Sequence, residues 1–440
     1  MEESANQPEN ADPDGGGGNE VDTVSDSDED SSSSMISHDI LVVDEPEMLE
    51  PSDPSDNGEE QIFDIALAAS HSYMGPGLVA VTGRRVLEPG WTGRVPVASH
   101  HGAVFPGETV PMLLPNPRDS AALQAIQKER IFGLLCPDET GTVVSGYGVL
   151  CEVFESGARE SRGGDRYEPL TLKARAHHRF RFKDMPKHAV PIHVYSKMRF
   201  VEVKVLPEVD LGEPLQAARL TSLDPHRRGR AHRLDWRLRS MDAALTPWPL
   251  FVYDMFDYTR IRQAIAGYFN TLKLDKLPSD PVSLSFWVAS NLALSARDRL
   301  ALFVVDNALL RLHMELRLIA RKSVLCCSSC MTEIARREHI FAMSSEGVHS
   351  NYTNLGGYMH DIVTVSRAGQ ITLDGAPSAE YSWFPGYTWT IALCATCTHH
   401  VGWRFDAMKA RLRPAQFYAL CRNSVQPRAD DDAHDPLPAL

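Results

Sequence analysis

Four cysteines constrain this chain more than any other feature. Cys327-x-x-Cys330 and Cys394-x-x-Cys397 repeat one spacing, with 63 residues between the pairs. A two-residue gap lets two thiolates and nearby backbone N–H groups approach one tetrahedral ion, and two such pairs complete its coordination. Zinc is the expected ion, and four thiolates leave it no open position for water or substrate, so one structural Zn2+ is expected. In small domains such a site contributes about 10–16 kcal/mol of apparent binding energy to folding. Cys326 competes with Cys327, and the two-residue gap selects Cys327. A single CxxC would also suit a thioredoxin-like redox pair; two pairs, with Ser-Ser and Ala-Thr inside, do not. The 63 intervening residues exceed what a compact zinc ribbon needs, so a small β domain is threaded between the knuckles. Eight cysteines in 440 residues are too sparse for a disulfide scaffold, and five of them sit in two tight clusters, which fits metal ligation in a reducing compartment.

Large aromatic residues gather beside the second pair. Trp383 and Trp389 flank a Pro385-Gly386 turn, and Trp403 with Phe405 lies in VGWRF just beyond the second knuckle. One tryptophan alone is ordinarily core. Three within 21 residues, tethered to a metal and parted by a surface turn, read as a three-walled box. Such a box holds a quaternary cation by ring quadrupoles, an option Glu380 would serve, or a flat uncharged ring by stacking plus backbone hydrogen bonds.

The formal charge of −14 is unevenly spread. Residues 1–60 hold 20 Asp and Glu and no Lys or Arg, which leaves 38 acids against 44 bases elsewhere, so there is no strongly basic nucleic-acid footprint. That Gly-, Ser-, Pro- and acid-rich segment cannot offset its chain entropy by burial and is expected to be disordered, with Ser25 and Ser27 resembling substrates of an acid-directed kinase. No apolar run is long enough to span a bilayer, and a soluble intracellular protein is expected. Residues 85–208 are dense in β-branched and aromatic residues, interrupted by one helix around 119–129. From 209 to 320 the period turns helical. Leu302, Val305, Leu309, Leu312, Leu316 and Ile319 form one stripe behind a Ser295/Asp298 capping box; Ile261, Ala264, Ile265, Tyr268 and Leu272 form a second. Thr246 before Pro247 reads as an N-cap and first turn. Trp236, Trp248, Phe251, Tyr253, Phe256 and Trp287 fit neither stripe and read as bundle padding or as a docking surface. From Gln426 the chain turns polar and Pro-rich, and its tail is expected to fray.

Taken together, the motifs resemble the cereblon family, substrate receptors of cullin–RING E3 ubiquitin ligases. The resemblance rests on YSWFPGYTW at 381–389, the CxxC pairs, NLGGYMH at 354–360 and VGWRF at 401–405. It extends through LTPWPLFVYDMFD at 245–257, LPSDPVSLSFWVA at 277–289 and FDIALAASHSYMG at 63–75. The implied fold class is α+β and multidomain. A disordered acidic tail, 1–60, precedes a Lon-protease-like N-terminal β-rich domain, 85–208, and a helical bundle, 209–320. A zinc-binding, thalidomide-binding all-β domain, 321–426, follows, and a second disordered tail, 427–440, ends the chain. The bundle would dock on the three-propeller damaged-DNA-binding adaptor, with cullin and RING subunits reached indirectly. Partners would also include substrate proteins carrying cyclic imide C-termini or recruited by drugs, and neither nucleic acid nor membrane is expected as a direct partner. Trp383, Trp389 and Trp403 would form the cage walls and Phe405 its floor. The Tyr381–Trp383 main chain, with Ser382 between, would bond the imide, and Asn354 would face it from another loop. The implied localisation is nucleus and cytoplasm, and the implied role is non-catalytic. The family commonly has His at the position of Tyr381 and often Pro-His at Leu355 and Gly356, and Ile391 lies just beyond the cage, so the outer contact surface differs here.

Two other functions compete. The zinc domain also resembles B-type methionine sulfoxide reductases, whose C-x-N-S nucleophile motif is matched by Cys421-Arg422-Asn423-Ser424. That reading requires a thiolate of lowered pKa at the pocket, whereas Cys421 follows PAQFYAL, which reads as helical and buried. A methyl-lysine reader is the second. A protease motor is excluded because the chain lacks a G-x-x-x-x-G-K-[ST] phosphate loop.

Overall fold

Apolar alternation in the first third of the chain produces strands that close on one another. The structure is a computed structural model describing residues 60–429 apart from 82–86, 116–119, 159–169, 211, 213–214, 216–217, 228–231, 275 and 322. The acidic tail through residue 59, with Ser25 and Ser27, and residues 430–440 lie outside the described residues. The leading segment contains β1 (Gln61–Ile62), α1 (Ile65–Ala69) and β2 (Val79–Ala80). The β-rich domain follows with β3 (Thr92–Ser99), β4 (Thr109–Leu114), α2 (Ala121–Glu129), β5 (Ile131–Pro137), β6 (Val144–Ala158), β7 (Leu170–Phe182) and β8 (Arg199–Val205).

β6 pairs with both β5 and β7, while β3 pairs with β5 and β8 and β8 pairs with β7, so these five strands form a closed ring, with β2 and β4 appended. Closure leaves the five without unpaired edges. Val97, Leu135, Leu150, Phe180, Phe182, Val203 and Val205 fill one side of this structure. Gly148 is required beside Phe180: a Cβ there would come within 2.5 Å of the ring and 2.4 Å of the Leu134 carbonyl. α2 is capped by Ser120 and buries Ala122, Leu123 and Ile126, matching the helix expected around 119–129.

The helical region comprises α3 (Asp224–Arg227), α4 (His232–Ala244), α5 (Leu250–Met255), α6 (Tyr258–Thr271), α7 (Pro281–Asn291), α8 (Ala296–Phe303) and α9 (Ala308–Ala320). Side chains of Asp257, Asp280, Ser295 and Asn307 each accept a first-turn N–H at the starts of α6, α7, α8 and α9. The Ser295/Asp298 pair is present, with Ser295 also bonded to the Asp298 carboxylate at 2.9 Å. Two expectations are corrected. The stripe from Leu302 to Ile319 is two helices, because Asn307 caps a new start and Val209 takes the joint's backbone bonds, accepting from Ala308 and donating to Asp306. Thr246 caps nothing: its hydroxyl donates to Ala243 O behind it, and α5 begins only after Pro249. In the second stripe Ile261 and Ile265 are buried, Tyr268 and Leu272 are half-buried and Ala264 faces out, while Phe269, outside the expected stripe, is buried. Buried residues of these helices and of the β-rich domain share one apolar core.

The C-terminal domain contains β9 (Ser323–Cys327), β10 (Glu333–Arg336), β11 (His349–Thr353), β12 (Met359–Val365), β13 (Ile371–Ser378) and β14 (Tyr387–Cys394). It continues with β15 (His400–Ala407), β16 (Leu412–Arg413), β17 (Gln416–Cys421) and β18 (Val425–Ala429). A six-stranded antiparallel sheet runs β11-β12-β17-β15-β14-β13, and β10-β9-β18 form a smaller one. PAQFYAL, expected to be helical, supplies β17, a strand between β12 and β15 that buries Phe417, Ala419 and Leu420. The expected fraying from Gln426 is also corrected, since Gln426–Ala429 pair residue by residue with β9. Pro427 is tolerated there because β18 is an edge strand.

Buried arginines join the parts. Arg299 on α8 donates to Asp361 on β12 at 2.8 Å and to Ala103 O, and Arg422 adds a 3.2 Å contact to Asp361 and donates to Ser290 O at 2.7 Å. Asn351 on β11 donates to Glu108 at 2.9 Å, and Arg179 on β7 reaches Asp306 at 3.0 Å. The leading segment ties into both ends, β1 pairing with β16 and β2 with β6, while Lys173 Nζ donates to Ser70 O at 2.6 Å. We predict that Arg299→Ala, which removes the closer of the two guanidinium groups on Asp361 and leaves the Ala103 carbonyl without its arginine donor, lowers stability by about 3–5 kcal/mol. Urea unfolding should show this as a lower midpoint with unchanged zinc content, and an unchanged midpoint would contradict it.

Candidate functional site

Each CxxC pair folds into the same turn. Cys327 N–H donates to Thr332 O and accepts from Met331 N–H at its carbonyl; Cys394 N–H donates to His399 O and accepts from Thr398 N–H likewise. Met331 and Thr398, at matching positions, both adopt left-handed backbone with φ of 64° and 59°. The sulfur atoms of Cys327, Cys330, Cys394 and Cys397 lie within 4.8 Å of one another, the shortest separations being 3.6 Å and 3.7 Å. Tetrahedral Zn–S bonds of about 2.3 Å require S–S spacings near 3.8 Å. The four cysteines fit one structural zinc. Strand alternation turns Cys326 away from this centre, since neighbours on a strand face opposite sides.

β14 runs from the aromatic turn into the second knuckle. Along it Trp389 opposes Phe405 and Ile391 opposes Trp403 on β15, so the four side chains share a face. Trp383, in the preceding turn, is 6% exposed; its indole donates to Thr353 O at 3.1 Å and its ring stacks on Tyr352 at 5.2 Å. It meets Trp403 edge to face, with centroids 4.8 Å apart. Trp389 is fixed separately, its indole donating to Glu380 O at 2.8 Å. Phe405 is buried and stacked on Phe417 at 5.1 Å. Between these rings and the β11–β12 turn lies a cavity of about 620 Å³.

Of the residues singled out from sequence, Asn354, Tyr381, Trp383, Trp389, Trp403 and Phe405 line this cavity together. Ser382 does not; its hydroxyl donates to Phe384 O at 3.1 Å. Tyr381 adopts φ of 53° and packs its ring on Tyr73 of the leading segment at 5.0 Å. Leu355, Gly356 and Ile391 also line the cavity, as do His360, Asp374, Leu393 and His400, which the sequence reading passed over. His360 stood inside NLGGYMH, and His400 stood beside the second knuckle, but neither has a spacing signal of its own.

The two lining histidines are neutral near pH 7. Burial, then the neighbouring His400 and His101, pushes His360 down to about 4, and burial lowers His400 as well. Two imidazole rings meet Trp403 edge to face, with centroids 5.0 Å away for His360 and 4.7 Å for His400. His360 Nε2 lies 3.3 Å from Asn354 Nδ2, which joins the turn to the cage. The arrangement suits a small, flat, neutral ligand held by stacking and by backbone polar groups. Cys421 is unsuited to nucleophilic chemistry: it is 2% exposed on β17, and burial, with Asp361 adding, pushes its thiol up to about 12.

Away from this pocket, the aromatic residues of the helical region divide. Tyr253 is buried and Trp287 packs on Phe269 at 4.7 Å, whereas Trp236, Trp248 and Phe251 are 54%, 60% and 66% exposed. Among the described residues, no helix is long and apolar enough to cross a membrane.

A family model described as Yippee zinc-binding/DNA-binding /Mis18, centromere assembly, matches residues 323–430. "Protein cereblon" of Danio rerio is 32% identical over 387 residues, covering 83% of this chain and 88% of that protein. The Gallus gallus protein of the same name is 32% identical over 404 residues, covering 86% and 88%. That of Drosophila pseudoobscura pseudoobscura is 33% identical, covering 83% of this chain and 59% of its own length. A solved Lon N-terminal domain protein from Xanthomonas campestris aligns with a TM-score of 0.29 at 16% identity, covering 51% of this chain and 98% of that one.

Two outcomes are expected. Metal analysis should find one zinc per chain, and Cys394→Ser should abolish it and open 323–429 to proteolysis; a protease-resistant, zinc-free variant would contradict the centre's structural role. Histidine-labelled NMR should find His360 half-protonated near pH 4, and a midpoint at the ordinary ~6.5 would mean the ring is solvated.

Proposed function

The chain belongs to the cereblon family, and from that premise we propose that it is the substrate receptor of a cullin–RING E3 ubiquitin ligase. In this reading the tryptophan-lined cavity captures cyclic imides of the thalidomide type and, on proteins, cyclic imides at C-termini. The observation that carries the proposal is the cavity's composition: indole walls, a Phe405 floor and neutral histidines, with Tyr381 and Trp383 of the turn before β14 among the lining residues. A glutarimide is small, uncharged and presents an N–H between two carbonyls. Stacking supplies its affinity and the backbone of Tyr381 and Trp383 supplies its orientation, so no charged side chain is needed.

The receptor transfers no chemical group itself. It raises the local concentration of a bound protein near ubiquitin carried by other subunits, which is a proximity effect. The exposed Trp236, Trp248 and Phe251 support a docking face for the three-propeller adaptor, through which cullin and RING subunits are joined. Leu355, Gly356 and Ile391 border the cavity and shape the surface offered to drug-recruited proteins. Ubiquitinated substrates would then go to the proteasome, and the receptor would act in nucleus and cytoplasm.

Calorimetry of the zinc-loaded chain with a glutarimide tests the cavity. Trp389→Ala should weaken binding by roughly thirtyfold or more, the scale of truncating an aromatic hot spot, with adaptor binding retained. Phe251→Asp should do the reverse. Native-like melting with undiminished glutarimide affinity in Trp389→Ala would refute the pocket assignment, and tighter binding of a trimethyl-lysine peptide would favour a methyl-lysine reader instead.

A further inference from the structure

The cavity carries charge on one wall only. Among its lining residues Asp374 and Glu380 are acidic, and no Lys or Arg among the described residues lines it. Both acids belong to the wall built by β13 and the turn before β14. Asp374 opposes Ile391 in the β13–β14 ladder, and the Glu380 carbonyl holds the Trp389 indole. The facing turn contributes Asn354, Leu355, Gly356 and His360, none of them charged near neutral pH. Neither acidic side chain has a hydrogen bond or ion pair among the described residues. The nearest basic residue along β15, Arg404, alternates away from Trp403 and Phe405 and is paired with Asp406 at 2.8 Å. Asp374 and Glu380 are both solvent-exposed, so they stand at the mouth rather than at the floor.

This one-sidedness bears on what precedes the imide. A ring seated on Phe405 and walled by indoles fills the cavity's depth, and the polypeptide attached to it has to leave through the mouth, past Ile391, Leu393 and the two carboxylates. A Lys or Arg at that point lays its aliphatic stem along Ile391 and Trp389 and brings its cationic head to Asp374 and Glu380. An acidic residue there meets uncompensated like charge. We propose that this chain selects substrates whose residue immediately before the C-terminal cyclic imide is Lys or Arg. The inference rests on the imide-binding reading and adds a determinant to it: the aromatic walls read the ring, and the β13 wall reads the charge beside it.

Fluorescence polarisation with the full zinc-loaded chain tests this, using three short peptides that end in a glutarimide and differ only in having Lys, Ala or Glu before it. At low ionic strength the Lys peptide should bind about two- to fivefold more tightly than the Ala peptide, the scale of solvent-exposed charge pairs, and the Glu peptide more weakly than either. The spread should contract in about 1 M salt, where the screening length is near 3 Å. It should also contract in the Asp374→Asn, Glu380→Gln double variant. Free glutarimide, which carries no neighbouring residue, is titrated in parallel. If it binds and the three peptides do not differ, charge selection is wrong and the imide pocket stands. If glutarimide itself does not bind, the pocket reading fails and the selection falls with it. A spread that survives in the double variant would assign the preference to other residues and overturn the role of Asp374 and Glu380.

Discussion

Four sulfur atoms drawn within 4.8 Å of one another fix two distant segments of the C-terminal domain against each other. The centre joins the end of β9 to the end of β14, segments more than 60 residues apart in sequence, and so closes the loop that contains most of the large sheet. Without that closure the ends of so long a segment would be brought together only at the expense of chain entropy. With it, β14 emerges from the knuckle in fixed register against β13 and β15. Trp389, Ile391, Trp403 and Phe405 then share one face as a consequence of pairing, before any ligand is considered.

Zinc positions the strands, and hydrogen bonds to indoles keep the cavity from collapsing. Trp383 and Trp389 each donate to a backbone carbonyl, Thr353 O and Glu380 O, so neither ring is free to rotate into the gap. Phe405 is held by its stack on Phe417, and Trp403 by its two histidine contacts. Those histidines are neutral because the same burial that packs them on Trp403 disfavours their charged form. Preorganisation of this kind reduces the ordering cost of binding. It also makes the site neutral in its depth and charged only at its mouth, where water screens Asp374 and Glu380.

What could be read from the residues alone follows the range of the interactions. The CxxC spacing is local chemistry, and its four ligands were legible from it. That Trp383 and Trp389 gather with Trp403 around one cavity was suggested by the Pro-Gly turn between them, which belongs at a surface. Interactions between distant segments were not legible. Leu302 to Ile319 carries an unbroken helical period, yet Val209, about a hundred residues earlier, takes the backbone bonds at the joint and Asn307 starts a second helix. PAQFYAL has no local signal against a helix, and it is a strand because β12 and β15 leave a slot for it. Gln426–Ala429 looked like a polar tail, and its partner, β9, is about a hundred residues away. Ser382 sits between two cavity-lining residues in sequence, but the turn directs its hydroxyl back to Phe384 O. The segment at 60–80 carried a family-like motif, FDIALAASHSYMG, but no sign of where it packs, and its ends pair with β16 and β6.

The pocket is not the property of the zinc domain alone. Its outer wall is the β11–β12 turn, which carries Asn354, Leu355 and Gly356. One residue on, Gly357 has φ of 79° and comes so close to the β-rich domain that a Cβ there would lie 2.9 Å from Leu113 O. At the base of the same strands Asn351 bonds Glu108, and Asp361 takes the Arg299 guanidinium. On the opposite side, Tyr381 leans on Tyr73, whose hydroxyl accepts from Thr353 N–H at 3.0 Å. Two of the walls around a zinc-ordered aromatic floor are therefore set by contacts with the β-rich domain and the leading segment. Because Arg299 is buried and the Asp361 side chain is only 12% exposed, their attraction is little screened by salt, whereas the exposed acids at the mouth are screened. The depth of the pocket is thus held by metal, stacking and buried ion pairs, and only its entrance is left for ionic conditions to tune.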